Sequence, residues 1–128
     1  MKIEHIAIWC RDLEKMKAFY ERYFDAKAGE KYVNSQKGFS SYFLRFSEGC
    51  RLELMHREDI RDQKSSEEET PGLAHIAFSA GSRERVDQVT ARLRADGHRI
   101  SGEPRTTGDG YYESTIRDPE GNLIEITC

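Results

Sequence analysis

The chain repeats itself, and each copy carries a histidine and a glutamate in matching places. Met1-Lys2-Ile3-Glu4-His5-Ile6-Ala7-Ile8 returns as Gly72-Leu73-Ala74-His75-Ile76-Ala77-Phe78, so His5 matches His75. Near the end of each copy, Arg51-Leu52-Glu53-Leu54 returns as Leu123-Ile124-Glu125-Ile126, so Glu53 matches Glu125. A repeat of about 70 residues is too long for a solenoid unit and points to a duplicated module. One His/Glu pair kept in register in both modules points to a single four-ligand site on a pseudo-twofold axis.

The 128 residues amount to one compact domain, or two small modules sharing a core. A net charge of −3 gives no electrostatic case for nucleic acid or an anionic membrane. The apolar runs are strand-sized, far short of a membrane span, and the N-terminus lacks a signal-peptide pattern. Cys10, Cys50 and Cys128 are odd in number and widely spaced, which fits free thiols in a reducing cytoplasm.

Ile3 to Trp9 alternates as a strand does, with Ile6 and Ile8 on one face and His5 and Ala7 on the other. Asp12 is a good N-cap, and Leu13, Met16, Phe19, Tyr20, Tyr23 and Phe24 follow at helical spacing, with Gly29 closing the unit. Residues 31–34, 39–46 and 50–56 read as strands, punctuated by Lys37-Gly38 and Glu48-Gly49. The second half runs alike: a strand over 73–79, Ser82 as cap, a stripe of Val86, Val89 and Leu93, and Asp96-Gly97 as the stop. Strands follow over 98–100, 111–117 and 123–127, with Asp118-Pro119-Glu120-Gly121 turning into the last. Each half is therefore β-α-β-β-β. The organisation expected is module 1 over 1–56, a charged linker over 57–71 with room for a short helical turn, and module 2 over 72–128.

Strand alternation turns His5, His75, Glu53 and Glu125 away from the helices, towards a concave face. A carboxylate at the centre of a half-buried strand costs several kcal/mol unless it has a partner. A divalent metal satisfies two carboxylates and two imidazoles together and retains room for water or substrate. That set suits Ni²⁺, Zn²⁺, Co²⁺, Mn²⁺ or Fe²⁺ better than Ca²⁺, which favours oxygen shells. The same alternation brings Trp9, Phe43, Arg45, Met55, Tyr111, Glu113 and Thr115 to the cavity as substrate-binding candidates. Arg45 and Arg51 are candidates to hold an anionic group. His56, three residues after Glu53, faces the other way, and His98 is expected to be exposed.

The opening strand with His5, the Asp12-Leu13 helix start, Phe19-Tyr20 with Tyr23-Phe24, Leu52-Glu53-Leu54, the strand around His75, and Asp118-Pro119-Glu120-Gly121 leading to Ile124-Glu125 together resemble the vicinal oxygen chelate superfamily. This is the glyoxalase/bleomycin-resistance/dioxygenase family, and the resemblance covers nearly the whole chain. No single piece is specific, but their order and spacing are. The resemblance implies an α+β fold of two βαβββ modules whose curved mixed sheets enclose a metal site. Glyoxalase I-like members use His/Glu from each module, which His5, Glu53, His75 and Glu125 reproduce. Epimerase-like members tend to carry Gln at the position of Glu53, and ring-cleaving dioxygenases use two His and one Glu. The implied chemistry is a metal-dependent isomerase or lyase acting on an enolisable carbonyl, with Ni, Zn or Co, and with Glu125 or Glu53 shuttling the proton.

One departure concerns the substrate. Lactoylglutathione lyases place an Arg four residues after the first ligand to hold a glutathione carboxylate, and Trp9 stands there. The Asn expected soon after the second ligand is also missing. The partners expected are a small-molecule substrate, with a thiol adduct as one form of it, and a second copy of the chain in a homodimer, since exposed sheet edges invite pairing. The rival readings are a ligand-sequestering protein of the bleomycin-resistance type and an extradiol dioxygenase.

Overall fold

The computed structural model describes residues 1–61 and 71–128. The chain divides into two units, Met1–Gln63 and Lys64–Cys128, each a helix on a mixed sheet. The expected linker over 57–71 falls mostly outside the described residues; its first residues close a turn in which the Ile60 amide donates to the Arg57 carbonyl.

The first unit runs β1 (His5–Trp9), α1 (Leu13–Tyr23), β2 (Lys27–Ala28), β3 (Tyr32–Asn34), β4 (Phe39–Arg45) and β5 (Arg51–Arg57). Its sheet is ordered β1-β5-β4-β2, with β3 also paired to β4. β1 lies parallel to β5, and the helical crossover between β1 and the rest of the sheet allows that pairing. Asp12 caps α1, its Oδ1 accepting from the Lys15 amide at 2.9 Å. Leu13, Met16, Phe19, Tyr20 and Tyr23 form the buried stripe against β4 and β5, where Leu44, Leu52 and Leu54 are buried. Met16 and Tyr20 are fully enclosed, so Met16→Ala would cost about 2–5 kcal/mol. Asp25, in the left-handed region at φ 53°, turns the chain out of the helix. β2 was not expected. It pairs only two residues, Lys27 with Arg45 and Ala28 with Leu44, too few to show an alternation.

The second unit runs β6 (Ile76–Ser79), α2 (Arg83–Ala95), β7 (Ile100–Thr106), β8 (Tyr112–Arg117) and β9 (Leu123–Thr127). The order is β6-β9-β8-β7, with β6 parallel to β9. Ser82 caps α2, its Oγ accepting from the Arg85 amide. The helix buries Val86, Thr90 and Leu93, so Thr90 joins the expected stripe while Val89 is only half-buried. Thr90 is tolerated inside because its hydroxyl donates to the Val86 carbonyl at 2.7 Å and lies 2.6 Å from Ser114 Oγ. In the turn before β9, Asp118 accepts from the amides of Glu120 and Asn122, and Gly121 takes φ 91°.

Both leading strands begin later than their apolar patterns predict. Ladder partners are available only from Arg51 opposite His5 and from Ile124 opposite Ile76, so Ile3 and Leu73 remain exposed. β7 starts at Ile100 rather than at His98, and His98 is half-buried just ahead of it.

Candidate functional site

In the first unit the parallel register puts His5 beside Arg51 and Ala7 beside Glu53. The Ile6/Ile8 and Leu52/Leu54 face is held against α1, which commits His5 and Glu53 to the other face. His5 Nε2 stands 3.8 Å from Glu53 Oε2. The Glu53 side chain is 14% exposed and that of His5 39%. The other imidazole nitrogen, Nδ1, is engaged by the Glu4 carboxylate, which also pairs with Arg51. The His5 hydrogen bond, helped by Arg51, holds the Glu4 carboxyl below the usual carboxylate range. The Phe43 ring meets His5 edge-on with centroids 5.4 Å apart, and the Arg51 guanidinium lies 4.1 Å above that ring.

The second unit repeats the pair. His75 Nε2 stands 3.6 Å from Glu125 Oε2, with the carboxylate again the less exposed partner. Its surroundings differ. Ala74 and Leu123 stand where the first unit has Glu4 and Arg51, and the neighbouring polar group is Glu113. Thr115 lies opposite Glu125, and Glu113 opposite Thr127, across the β8–β9 ladder. Burial, then repulsion from the Glu125 charge and a hydrogen bond with it, pushes the Glu113 carboxyl up. Arg105 approaches Glu113 at 3.5 Å. Thr127 Oγ1, on this face, is buried without a hydrogen-bond partner among the described residues.

Two donors sharing an ion at about 2.0–2.2 Å stand roughly 3.0–3.5 Å apart. Separations of 3.6 and 3.8 Å exceed a hydrogen bond and are close to that spacing. Each pair therefore fits half of a borderline-metal ligand set: one neutral imidazole and one carboxylate. Among the described residues no group of three or more His, Cys, Asp or Glu side chains is arranged to hold a metal ion, so each pair stands as its own two-donor unit.

The other site candidates divide. Phe43 flanks His5, and Glu113 adjoins Glu125. Arg45 ends β4 exposed, on the Phe43 face. Trp9 lies at the far end of β1 from His5, edge-on to Phe39. Tyr111 is exposed and lies one residue ahead of β8, which begins at Tyr112 rather than at Tyr111. Arg51, read as an anion holder, has its anion in Glu4. His56 is engaged by the Cys10 carbonyl at 2.9 Å, away from the His5 pair. Sequence reasoning missed Glu4, because its role depends on a β1–β5 register that places Arg51 next to it.

Among known proteins the chain is 28% identical to the Uncharacterized protein YqjT of Bacillus subtilis over 98% of each. It superposes on a possible glyoxalase from Bacillus cereus with TM-score 0.73 and 26% identity, over 100% of this chain and 99% of that one. Glyoxalase I from Zea mays gives TM-score 0.80 at 19% identity, a likeness of fold; 98% of this chain is matched, but it spans only 44% of the maize chain. The family model for the Glyoxalase/Bleomycin resistance protein/Dioxygenase superfamily matches residues 2–126. With an α+β architecture of two mixed sheets and two helices that its solved relatives share, the chain belongs to that superfamily.

Proposed function

We propose that this protein is a metal-dependent isomerase or lyase of the glyoxalase I type, acting on a small carbonyl compound with an enolisable neighbouring carbon. The observation that carries the reading is the repeated pair: an imidazole Nε2 and a carboxylate oxygen 3.8 Å apart in one unit and 3.6 Å apart in the other. His5, Glu53, His75 and Glu125 would be the ligand set. A bound Ni²⁺, Zn²⁺ or Co²⁺ would supply Lewis-acid polarisation of the substrate oxygens. The chain supplies the rest. Glu4 holds the His5 ring, Phe43 packs its flank, and a Glu125 or Glu53 oxygen takes a proton from the carbon beside the carbonyl and returns it to the adjacent carbon. The carbon-bound proton moves to the carbonyl carbon and the hydroxyl proton passes to the former carbonyl oxygen, so the composition is unchanged and no oxidant is needed.

The reading includes a small-molecule substrate, with a thiol adduct as one form, a homodimer and a cytoplasmic setting. Among the described residues no helix is long and apolar enough to cross a membrane. The test is metal analysis of protein purified without chelator, wild type beside His5→Ala and Glu125→Gln, followed by assays on α-ketoaldehyde adducts of glutathione, bacillithiol and CoA. Bound Ni, Zn or Co that both variants lose, together with isomerisation, supports the reading. Iron with ring cleavage favours a dioxygenase, and tight ligand binding without any metal favours a sequestering protein. Either of those results overturns it.

A further inference from the structure

A cavity of about 340 Å³ opens on the first unit, lined by Trp9, Tyr32, Asn34, Lys37, Phe39 and Arg57. That volume lies near the lower end of the range for small-molecule sites, about 300–1,000 Å³. Neighbouring strands build it. Trp9 ends β1, Arg57 ends β5 directly opposite Phe39 at the start of β4, and Asn34 of β3 pairs with Phe39 on its other side. Trp9 meets Phe39 edge-on with centroids 6.2 Å apart, and Tyr32 meets Phe39 at 6.0 Å. Trp9 is nonetheless 40% exposed and Tyr32 55%. Large rings left in water at one spot, beside polar groups, mark a binding surface rather than a core.

The charges narrow the ligand. The Arg57 guanidinium lies 5.1 Å above the Trp9 ring, with its Nε held by Asp59, so its other two nitrogens retain donors for a ligand. Lys37 adds an ammonium at the end of a short 3₁₀ turn. Three rings alone would suit a quaternary ammonium, but two cations on the rim oppose one. A purely apolar guest would leave both cations and the Asn34 amide unused.

We propose that this cavity is a recognition subsite for an aryl carboxylate: a planar ring against Trp9, Tyr32 and Phe39, and its acid between Lys37 and Arg57. The subsite requires no ion at the His5–Glu53 pair. Where the metal-dependent reading above also holds, the subsite deepens it by narrowing the carbonyl substrate to one that carries an aromatic acid.

Trp9 is the only tryptophan in the chain, so its fluorescence reports on the cavity alone. Titrating phenylacetate into the full protein should quench or shift that emission to saturation. Phenylacetamide, which has the ring without the charge, should bind about tenfold or more weakly, and so should phenylacetate to Lys37→Ala, because a hydrogen bond to a charged group is lost in each case. Acetate and tetramethylammonium should give no saturable signal. Phenylacetamide or tetramethylammonium binding as tightly as phenylacetate, or no saturable change with any aryl acid, overturns the subsite. Wild type beside His5→Ala separates the two readings. Quenching by a wild type that never binds metal leaves the subsite standing and removes the metal reading, whereas a wild type whose metal His5→Ala loses, but which shows no quenching, does the reverse.

Discussion

The Glu4 carboxylate grips Nδ1 of His5, and in the second unit the residue ahead of His75 is Ala74. A carboxylate accepting from Nδ1 fixes the tautomer in which Nε2 carries the lone pair, and it holds the ring against rotation. Arg51 pins Glu4 in turn, so among the described residues the first pair has an outer support that the second lacks.

Glu4→Ala should therefore weaken metal binding about 10–100-fold, the usual cost of losing a ligand's hydrogen-bonding partner. Glu4→Gln, whose amide oxygen still accepts from Nδ1, should retain much of it. Competition titrations against a chromogenic chelator measure both, and imidazole ¹⁵N shifts of the metal-free protein report the tautomer. Equal affinity in wild type and Glu4→Ala would remove Glu4 from the site.

Inside the second unit, Thr90 and Ser114 are buried hydroxyls 2.6 Å apart, and the two ends of that bond are unequal. Thr90 already donates to the Val86 carbonyl, so Ser114 must donate to Thr90. Ser114→Ala deletes one bond and leaves the Thr90 donor satisfied, at a cost of about 1 kcal/mol. Thr90→Val strands the Ser114 hydroxyl in an apolar interior and should cost more, about 1–3 kcal/mol. The double variant should cost less than the sum. Urea unfolding of the four proteins decides, and equal, additive costs would exclude this donor order.

Much of the fold and of the site is legible in the sequence because it is local. Asp12 and Ser82 cap their helices as expected, and the alternation of Ile6/Ile8 against His5, and of Leu52/Leu54 against Glu53, is enough to assign faces. What is not legible depends on register or on a single tertiary contact. The two pairs of β2 carry no period. Thr90 is buried because Ser114 and the Val86 carbonyl answer its hydroxyl, a contact with no local signal. The roles of Glu4 and of the Trp9–Phe39–Arg57 cluster need strands β1, β5, β4 and β3 laid side by side. The start of β8 at Tyr112, one residue later than the alternation predicts, is set by where its ladder partners begin.

A pH dependence follows from Glu14 in the first turn of α1. It receives hydrogen bonds from Lys31 at 2.8 Å and from the Tyr42 hydroxyl at 3.0 Å. The Lys31 contact first, then Tyr42, holds its carboxyl below the usual value of 4.5. With the folded pKa depressed, the stabilisation is present above the unfolded value and disappears as pH falls through the lower folded one. The Glu14 side chain is 60% exposed, so solvent screening limits the gain to a few tenths of a kcal/mol. Glu14→Gln should therefore melt slightly below wild type at pH 7 in low salt, and the gap should close as pH falls below the usual carboxylate range and in 1 M salt. A gap that persists at low pH would mean that the carboxylate charge is not its source.

Gly102 bears on the second His/Glu pair through Thr115. The β7–β8 ladder shifts register on both sides of Gly102, and a Cβ built there would lie 2.5 Å from Thr115 Oγ1 and 3.0 Å from an Arg105 guanidinium nitrogen. Its backbone conformation is one that any residue adopts, so the obstacle is space and not strain. Gly102→Ala must displace Thr115, at a cost of about 1–3 kcal/mol for overpacking. Thr115 stands opposite Glu125, so the same push should weaken metal binding through that carboxylate. Removing the obstructing oxygen should reverse both effects, since Thr115 Cβ would lie at an ordinary 3.7 Å from the new methyl group. Gly102→Ala placed on a Thr115→Ala background should therefore be nearly neutral in urea unfolding and in metal titration. An unchanged penalty on that background would locate the clash at Arg105, and the link from β7 to Glu125 would be lost with it.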